Sequence, residues 1–257
     1  MIFSRFLEHL KQQHWTGVFI ELVIVVLGVY IGLQAQQWSK QREDRGSETQ
    51  IVANLLADLE TDRSAYANGM ALDVRRINAA NASLAGAGLP PLERLEWNMP
   101  NNDISNYSFD VSDLPVFPAD QRDSLWTHVV MGYFPNPSTS AFDAMVGSGD
   151  IKLIRDREIV RDIQLYHDTA ETVISQNDKL LRLREDIANV GVSYGLAPFA
   201  KMPATEYFRL VANTPQLAAA IRTQAMFTMF HHDDIKSADA RAAQLQVRLK
   251  SYLPAGI

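Results

Sequence analysis

His231-His232-Asp233-Asp234 is the densest group of metal-binding side chains in the chain. Imidazole and carboxylate are ligands that zinc, iron and manganese accept, so metal chemistry is the first function to weigh. The spacing argues against it. Adjacent helical residues point about 100° apart, so four in a row cannot converge on one ion. A site would need His231 or His232 with Asp234 and a distant ligand such as His167 or Asp168. A solvated helix face is the better reading. His128, in a short apolar segment, reads as a packed or hydrogen-bonded histidine. Gly147-Ser148-Gly149 lacks the lysine and the spacing of a phosphate loop, and neither a G-x-S-x-G elbow nor an H-E-x-x-H pair occurs. Absence of cysteine excludes a thiol nucleophile. No catalytic, cofactor-binding or metal-binding residue is assigned on this basis, and no cofactor is expected.

The elements that would position such residues start with an apolar run, Gly17 to Ala35 (GVFIELVIVVLGVYIGLQA). At about 1.5 Å rise per residue it spans roughly the 30 Å hydrocarbon core of a bilayer. Trp15 and Trp38 flank it where amphipathic rings favour the headgroup level, with Tyr30 in its outer third. Arg5, Lys11 and Leu33-Gln34-Ala35 loosely resemble a cleaved signal, but the run is long for one and Leu33 is a poor small residue. A retained membrane helix is expected. Glu21 lies one turn inside it, where it either snorkels toward His14 or Lys11 or bonds to a neighbouring helix. Gly28 and Gly32 are four apart, a spacing that lets two helix backbones approach closely. Glu21, Gly28 and Gly32 sit at 0, 7 and 11 residues, within about 20° of one line along the helix. That shared face predicts a homo-oligomer or a membrane-protein partner.

Beyond the span, periodicity predicts helices. Ile51, Leu55, Leu59, Tyr66, Met70, Val74 and Ile77 form a stripe, with Asp58, Asp62, Arg63 and Arg75 on other faces. Nothing breaks the chain from Gln34 to Tyr66, so the membrane helix should continue as a stalk, with Gly46 and Gly69 as possible bends. Gly86 to Pro91 ends it. Residues 86–121 are rich in Pro, Asn, Asp and Ser and read as an irregular insert. Trp97, Tyr107, Phe109 and Phe117 in it either pin the insert to the body or form a partner surface. Further helices are expected over 120–131, over 141–146 with Ser138 or Ser140 as cap, from Asp156 to about Val190, and from Thr214-Pro215 to Leu253. Gly147 and Gly149 should terminate the second of these. Strand pieces are confined to 104–111 and 150–154. The fold class is all-α, an N-terminal transmembrane helix extending into a stalk and then a helical bundle with one long irregular insert. The corresponding segments are 1–16, short and cytoplasmic; 17–38, the membrane helix; 39–85, the stalk and first helix; and 86–257, the remainder of the helical domain.

The string Phe19 to Gln34 followed by Trp38, and the string Ala141 to Ile154 (AFDAMVGSGDIKLI), resemble a family of bacterial single-pass membrane proteins of similar length. Members carry an acidic residue early in an N-terminal span, an apolar-Gly stretch, then Leu-Gln and Trp. Where they often have an Asn pair before the Trp, this chain has Gln36-Gln37. The resemblance implies a fold plan and a location and brings no activity or catalytic residue.

The net charge is −6 and the isoelectric point about 5.5, which argues against nucleic acid as a partner. Residues 46–257 carry 19 basic and 26 acidic side chains spread along the chain, an ordinary solubility charge. Basic residues before and after the span are too evenly matched to orient it. A short tail before a large domain is the usual shape of a signal anchor, which places the large domain in the periplasm, outside a bacterial inner membrane. Two function classes remain. One is a membrane-anchored interaction module, a partner-binding, accessory or scaffold protein. The other is a membrane-anchored ligand sensor or metal-dependent enzyme with a site between helices, built on His167, His231 or His232 with carboxylates.

Overall fold

Ala and Leu are the commonest residues in the long segments of this chain and proline is confined to their junctions, so helices form wherever seven-residue apolar spacing persists. A computed structural model describes residues 15–98 and 106–253. The chain divides into two units, Met1–Gln50 and Ile51–Ile257. Helix α1, Trp15–Gly86, is 72 residues long and continues without interruption through Gly46 and Gly69.

In the first unit the apolar side chains of α1 have no cover. Those from Phe19 to Leu33 range from 39% exposed at Val23 to 65% at Phe19. Among the described residues, α1 is the one helix long and apolar enough to cross a membrane. Nothing lies within 4 Å of where a Cβ would sit on Gly28 or Gly32. Trp38 is exposed. The side chains of Trp15 and Glu21 lie outside the described residues, although both belong to α1.

The second unit is built on three long helices. From Ile51 onward α1 packs with α4, Arg157–Val192, and α6, Pro215–Tyr252. Side-chain bonds set the directions. Asp62 meets Tyr166, Asp73 meets His231, and Asp162 meets Arg248. Asn177 also meets His231, so α4 runs antiparallel to α6. Buried positions recur every seven residues on each helix: 52, 59, 66, 73 and 80 with 55, 62, 69 and 76 on α1; 159, 166, 173, 180 and 187 on α4; 221, 228, 235, 242 and 249 on α6. That is the spacing of knobs-into-holes packing.

Between α1 and α4 lie the smaller elements. Leu89 N–H bonds back to the Leu84 carbonyl at 3.0 Å and Gly88 takes a positive φ of 70°, which closes α1 before Pro90 and Pro91. Strands β1, Leu95–Asn98, and β2, Asn106–Phe109, pair antiparallel with Trp97 opposite Tyr107. A 3₁₀ turn, Ala119–Ser124, leads into α2, Leu125–Val130; then come α3, Ser140–Ser148, and a 3₁₀ turn, Asp150–Leu153. Helix α5, Ala204–Asn213, precedes α6.

The all-α plan agrees with the sequence, but α5 was not expected, β1 lies outside the two stretches where strand was expected, and α3 runs on through Gly147 instead of ending there. Asp156 caps α4 by accepting from Glu158 N and Ile159 N, and Pro215 opens α6. Several expectations are corrected. Residues 150–153 form a 3₁₀ turn and not a strand, because the chain turns through Gly149 at φ 74° immediately before. The helix that starts after Asp156, expected to be the longest outside the membrane segment, has 36 residues, and α6 is slightly longer at 38. Neither Ser138 nor Ser140 caps α3; Asp58 of α1 does so instead, its Oδ2 accepting from Ala141 N at 3.3 Å. Asp62 does not lie on an outer face. It is 1% exposed, and its carboxylate accepts from Ser138 N at 2.8 Å and from the Tyr166 hydroxyl at 2.6 Å. The seven-residue stripe passes through Gly69 and Asp73, which leaves Met70 and Val74 only half-buried.

Candidate functional site

Two apolar clusters fill the core of the second unit, one holding Leu59, Tyr66, Ile163 and Ile235, the other Ile77, Leu84, Trp126 and Ile221. Between them lies a layer of buried polar residues: Asp73 and Arg76 of α1 and Thr228 of α6 on those seven-residue positions, with Asn177 of α4 and His231 of α6 on the neighbouring buried stripe of each helix. His231 is its hub. Its Nδ1 lies 2.7 Å from Asp73 Oδ2 and its Nε2 2.8 Å from Asn177 Oδ1. Asn177 Nδ2 donates to the Pro135 carbonyl at 2.6 Å. A carbonyl only accepts, so the amide must present its oxygen to the ring, and His231 donates from Nε2. Asp73 also faces Arg76, at 3.6 Å. Arg76 in turn donates to the Met131 carbonyl at 3.2 Å and to Thr228 Oγ1 at 3.4 Å, and lies 5.2 Å from the Phe134 ring centre. Burial pushes the Arg76 pKa downward, opposed by Asp73.

Chemically this layer is closed. An imidazole can bind a metal only through a free ring nitrogen, and both nitrogens of His231 are hydrogen-bonded. A Cβ on Gly132 would fall on the Arg76 guanidinium, so backbone seals that side as well. The arrangement holds three helices in one register, the best-attested use of polar groups in a helical core.

Beside the layer, a pocket of about 170 Å³ opens between α4 and α6. Each helix supplies residues at i, i+3, i+4 and i+7: Gln176, Lys179, Leu180 and Leu183 from one, Phe227, Phe230, His231 and Asp234 from the other. That spacing is one helix face in each case. Asp234 Oδ1 accepts from the Tyr107 hydroxyl at 3.1 Å, and Tyr107 meets Phe230 edge to face at 4.8 Å. Burial pushes the Asp234 pKa up to about 6, against the pull of Tyr107, His231 and Lys179.

The tetrapeptide His231 to Asp234 is therefore not a solvated face. Its four residues divide their work: His231 to the core, Asp234 to the pocket wall, Asp233 to the hairpin through Ser108 N at 2.6 Å, and His232 to an edge contact with Phe109. Burial lowers the His232 pKa. His167 stacks on Phe142, with ring centres 3.9 Å apart, and is not part of the His231 layer. Among the described residues no three His, Asp or Glu side chains gather as a metal-holding group. His128 bonds to Arg75 at 3.3 Å and packs against Phe117.

The aromatics of the insert separate. Phe109 and Phe117 are buried, at 8% and 4%, and pin the insert to the core; Tyr107 is half-buried; Trp97 alone of the four is more than half exposed, at 52%. The membrane-helix face of Glu21, Gly28 and Gly32 shares no residue with this pocket. Sequence reasoning missed Asp73, Arg76 and Asn177. Asp73 and Asn177 carry a positional signal, since they interrupt apolar series at seven-residue spacing (Val52, Leu59, Tyr66 and Ala80; Ile163 and Ala170), whereas Arg76 follows Asp62 and Gly69 on its own series and carries none. No family model, no curated protein and no solved structure matches this chain.

Proposed function

We propose that the chain is a single-pass protein of the bacterial inner membrane that acts by binding a protein partner, its helical unit lying in the periplasm. The observation that carries this reading is the Phe19–Leu33 stretch, whose apolar side chains are left open to lipid or to another helix. The resemblance of that stretch and of Ala141–Ile154 to bacterial single-pass proteins supports the location. Interior titratable groups support a scaffold or accessory role, since His231 and Asp62 are consumed by structural bonds.

Gentle solubilisation of the native membrane should recover either a second copy or a membrane protein. Gly28→Ile and Glu21→Ala should each weaken that recovery, whereas Val25→Ala, on another face, should not. Equal recovery with all three variants overturns the contact face. For topology, a C-terminal alkaline phosphatase fusion should be active and a C-terminal green fluorescent fusion dark; the reverse places the helical unit in the cytoplasm. The α4–α6 pocket favours a second reading, an anchored ligand sensor. The metal-dependent form of that reading requires stoichiometric zinc, iron or manganese in the purified protein.

A further inference from the structure

We propose that the pocket between α4 and α6 binds a compact zwitterion of the amino-acid class. Its ammonium would meet Asp234, its carboxylate Lys179, and its branched apolar body Leu180, Leu183, Phe227 and Phe230. This inference is independent of the partner-binding reading.

Size comes first. A cavity of about 170 Å³ is of the order that holds a benzene-sized body, so the occupant has few heavy atoms beyond one apolar group and its polar ends. The walls come next. Leucines from α4 face phenylalanines from α6, a lining suited to an aliphatic or small aromatic body. Charge decides the class. Lys179 and Asp234 both line the pocket and are close enough for the lysine to draw the Asp234 pKa down. Yet they form no ion pair within 4.0 Å, and among the described residues Lys179 makes no hydrogen bond. Two opposite charges that line one apolar pocket without pairing with each other are complementary to a ligand carrying both signs. An amine alone would leave Lys179 repelling it; an acid alone would face Asp234. Asp234 is also fixed for the purpose, because Tyr107 holds Oδ1 and Phe230 packs beneath Tyr107. Aromatic faces beside a carboxylate further favour an ammonium end.

The test uses the full-length chain in detergent micelles and three probes sharing one carbon body. L-leucine carries both charges, isoamylamine lacks the carboxylate, and 4-methylpentanoate lacks the ammonium. Equilibrium dialysis should show saturable one-site binding of L-leucine, with each comparator weaker by at least about tenfold. Lys179→Met, at an exposed position that leaves packing intact, should weaken L-leucine by at least about tenfold, and Asp234→Asn should do the same with melting curves that still show a cooperative fold. The proposal is overturned by no saturable L-leucine binding up to about 10 mM, by isoamylamine or 4-methylpentanoate binding as tightly as L-leucine, or by undiminished binding in Lys179→Met.

Discussion

Arg76 is fully buried, and an unpaired guanidinium in that position would cost several kcal/mol, so each of its neighbours is constrained. Gly132 is the tightest case. Gly132→Ala should destabilise the protein by about 1–3 kcal/mol in urea unfolding, because its methyl group occupies the space of the guanidinium. In an Arg76→Met background the same change should cost less than half as much; an equal cost in both backgrounds would refute the contact. Asp234 gives a pH prediction. Burial raises its folded pKa to about 6 from 3.8, so the native state holds this proton more tightly than the unfolded chain. The stability it contributes is fully present below about pH 4 and is lost as pH rises through about 6. Tyr107, Asp233, His231 and Lys179 surround it and act in both directions. Asp234→Asn should therefore unfold at higher urea than the parent at about pH 7.5 and match it near pH 4. His128 and His232, with lowered pKa values, lose stability on acidification, but equally in both proteins, so the difference between the two isolates Asp234. A gap independent of pH would refute the assignment.

Helix ends were legible in the sequence where their causes are local, and not at the start of α3, which Asp58 caps from 83 positions away. Asp156 caps α4 with its own side chain, Pro215 starts α6, and Gly149 ends α3 in the left-handed region that L residues avoid. Inward-facing polar residues were not legible, since Asp73 finds its partner 158 positions away at His231 and Asn177 finds it 54 away. A carboxylate on a stripe looks the same in sequence whether water or an imidazole waits opposite. The pocket was unreadable for a similar reason: each of its two faces is an ordinary i, i+3, i+4, i+7 set until two helices bring them together. Two glycines of α3 give opposite predictions. Gly149→Val should cost about 1–3 kcal/mol, because a β-branched residue cannot rest at φ 74°, while Gly149→Asn should cost less. Gly147 is exposed inside α3 with open space around it, so Gly147→Ala should stabilise by about 0.5–1 kcal/mol. Thermal unfolding of the three variants checks both signs.

At the scale of the whole chain, the uncovered span of α1 dictates how the protein partitions. It should remain in the membrane pellet after carbonate washing, and deletion of residues 15–38 should move it to the soluble fraction. Release of a fragment beginning near Gln36 would identify a cleaved signal instead. The all-α plan and the order of the long helices were readable from periodicity and proline placement, whereas the pairing of β1 with β2 inside the insert was not. What periodicity could not supply was the division of the core into two apolar clusters with charge between them.

That division has an evolutionary corollary. His231 joins Asp73 and Asn177 from three helices: losing His231 deprives both of a partner away from water, and losing either of them leaves one ring nitrogen of His231 unpaired. Sequence drift at these positions is therefore coupled. Related chains should keep all three or exchange them together for apolar residues, and position 132 should stay glycine wherever position 76 is arginine. Co-variation of 73, 177 and 231 among relatives, with 76 tracking 132, would mark which other sequences share this interior.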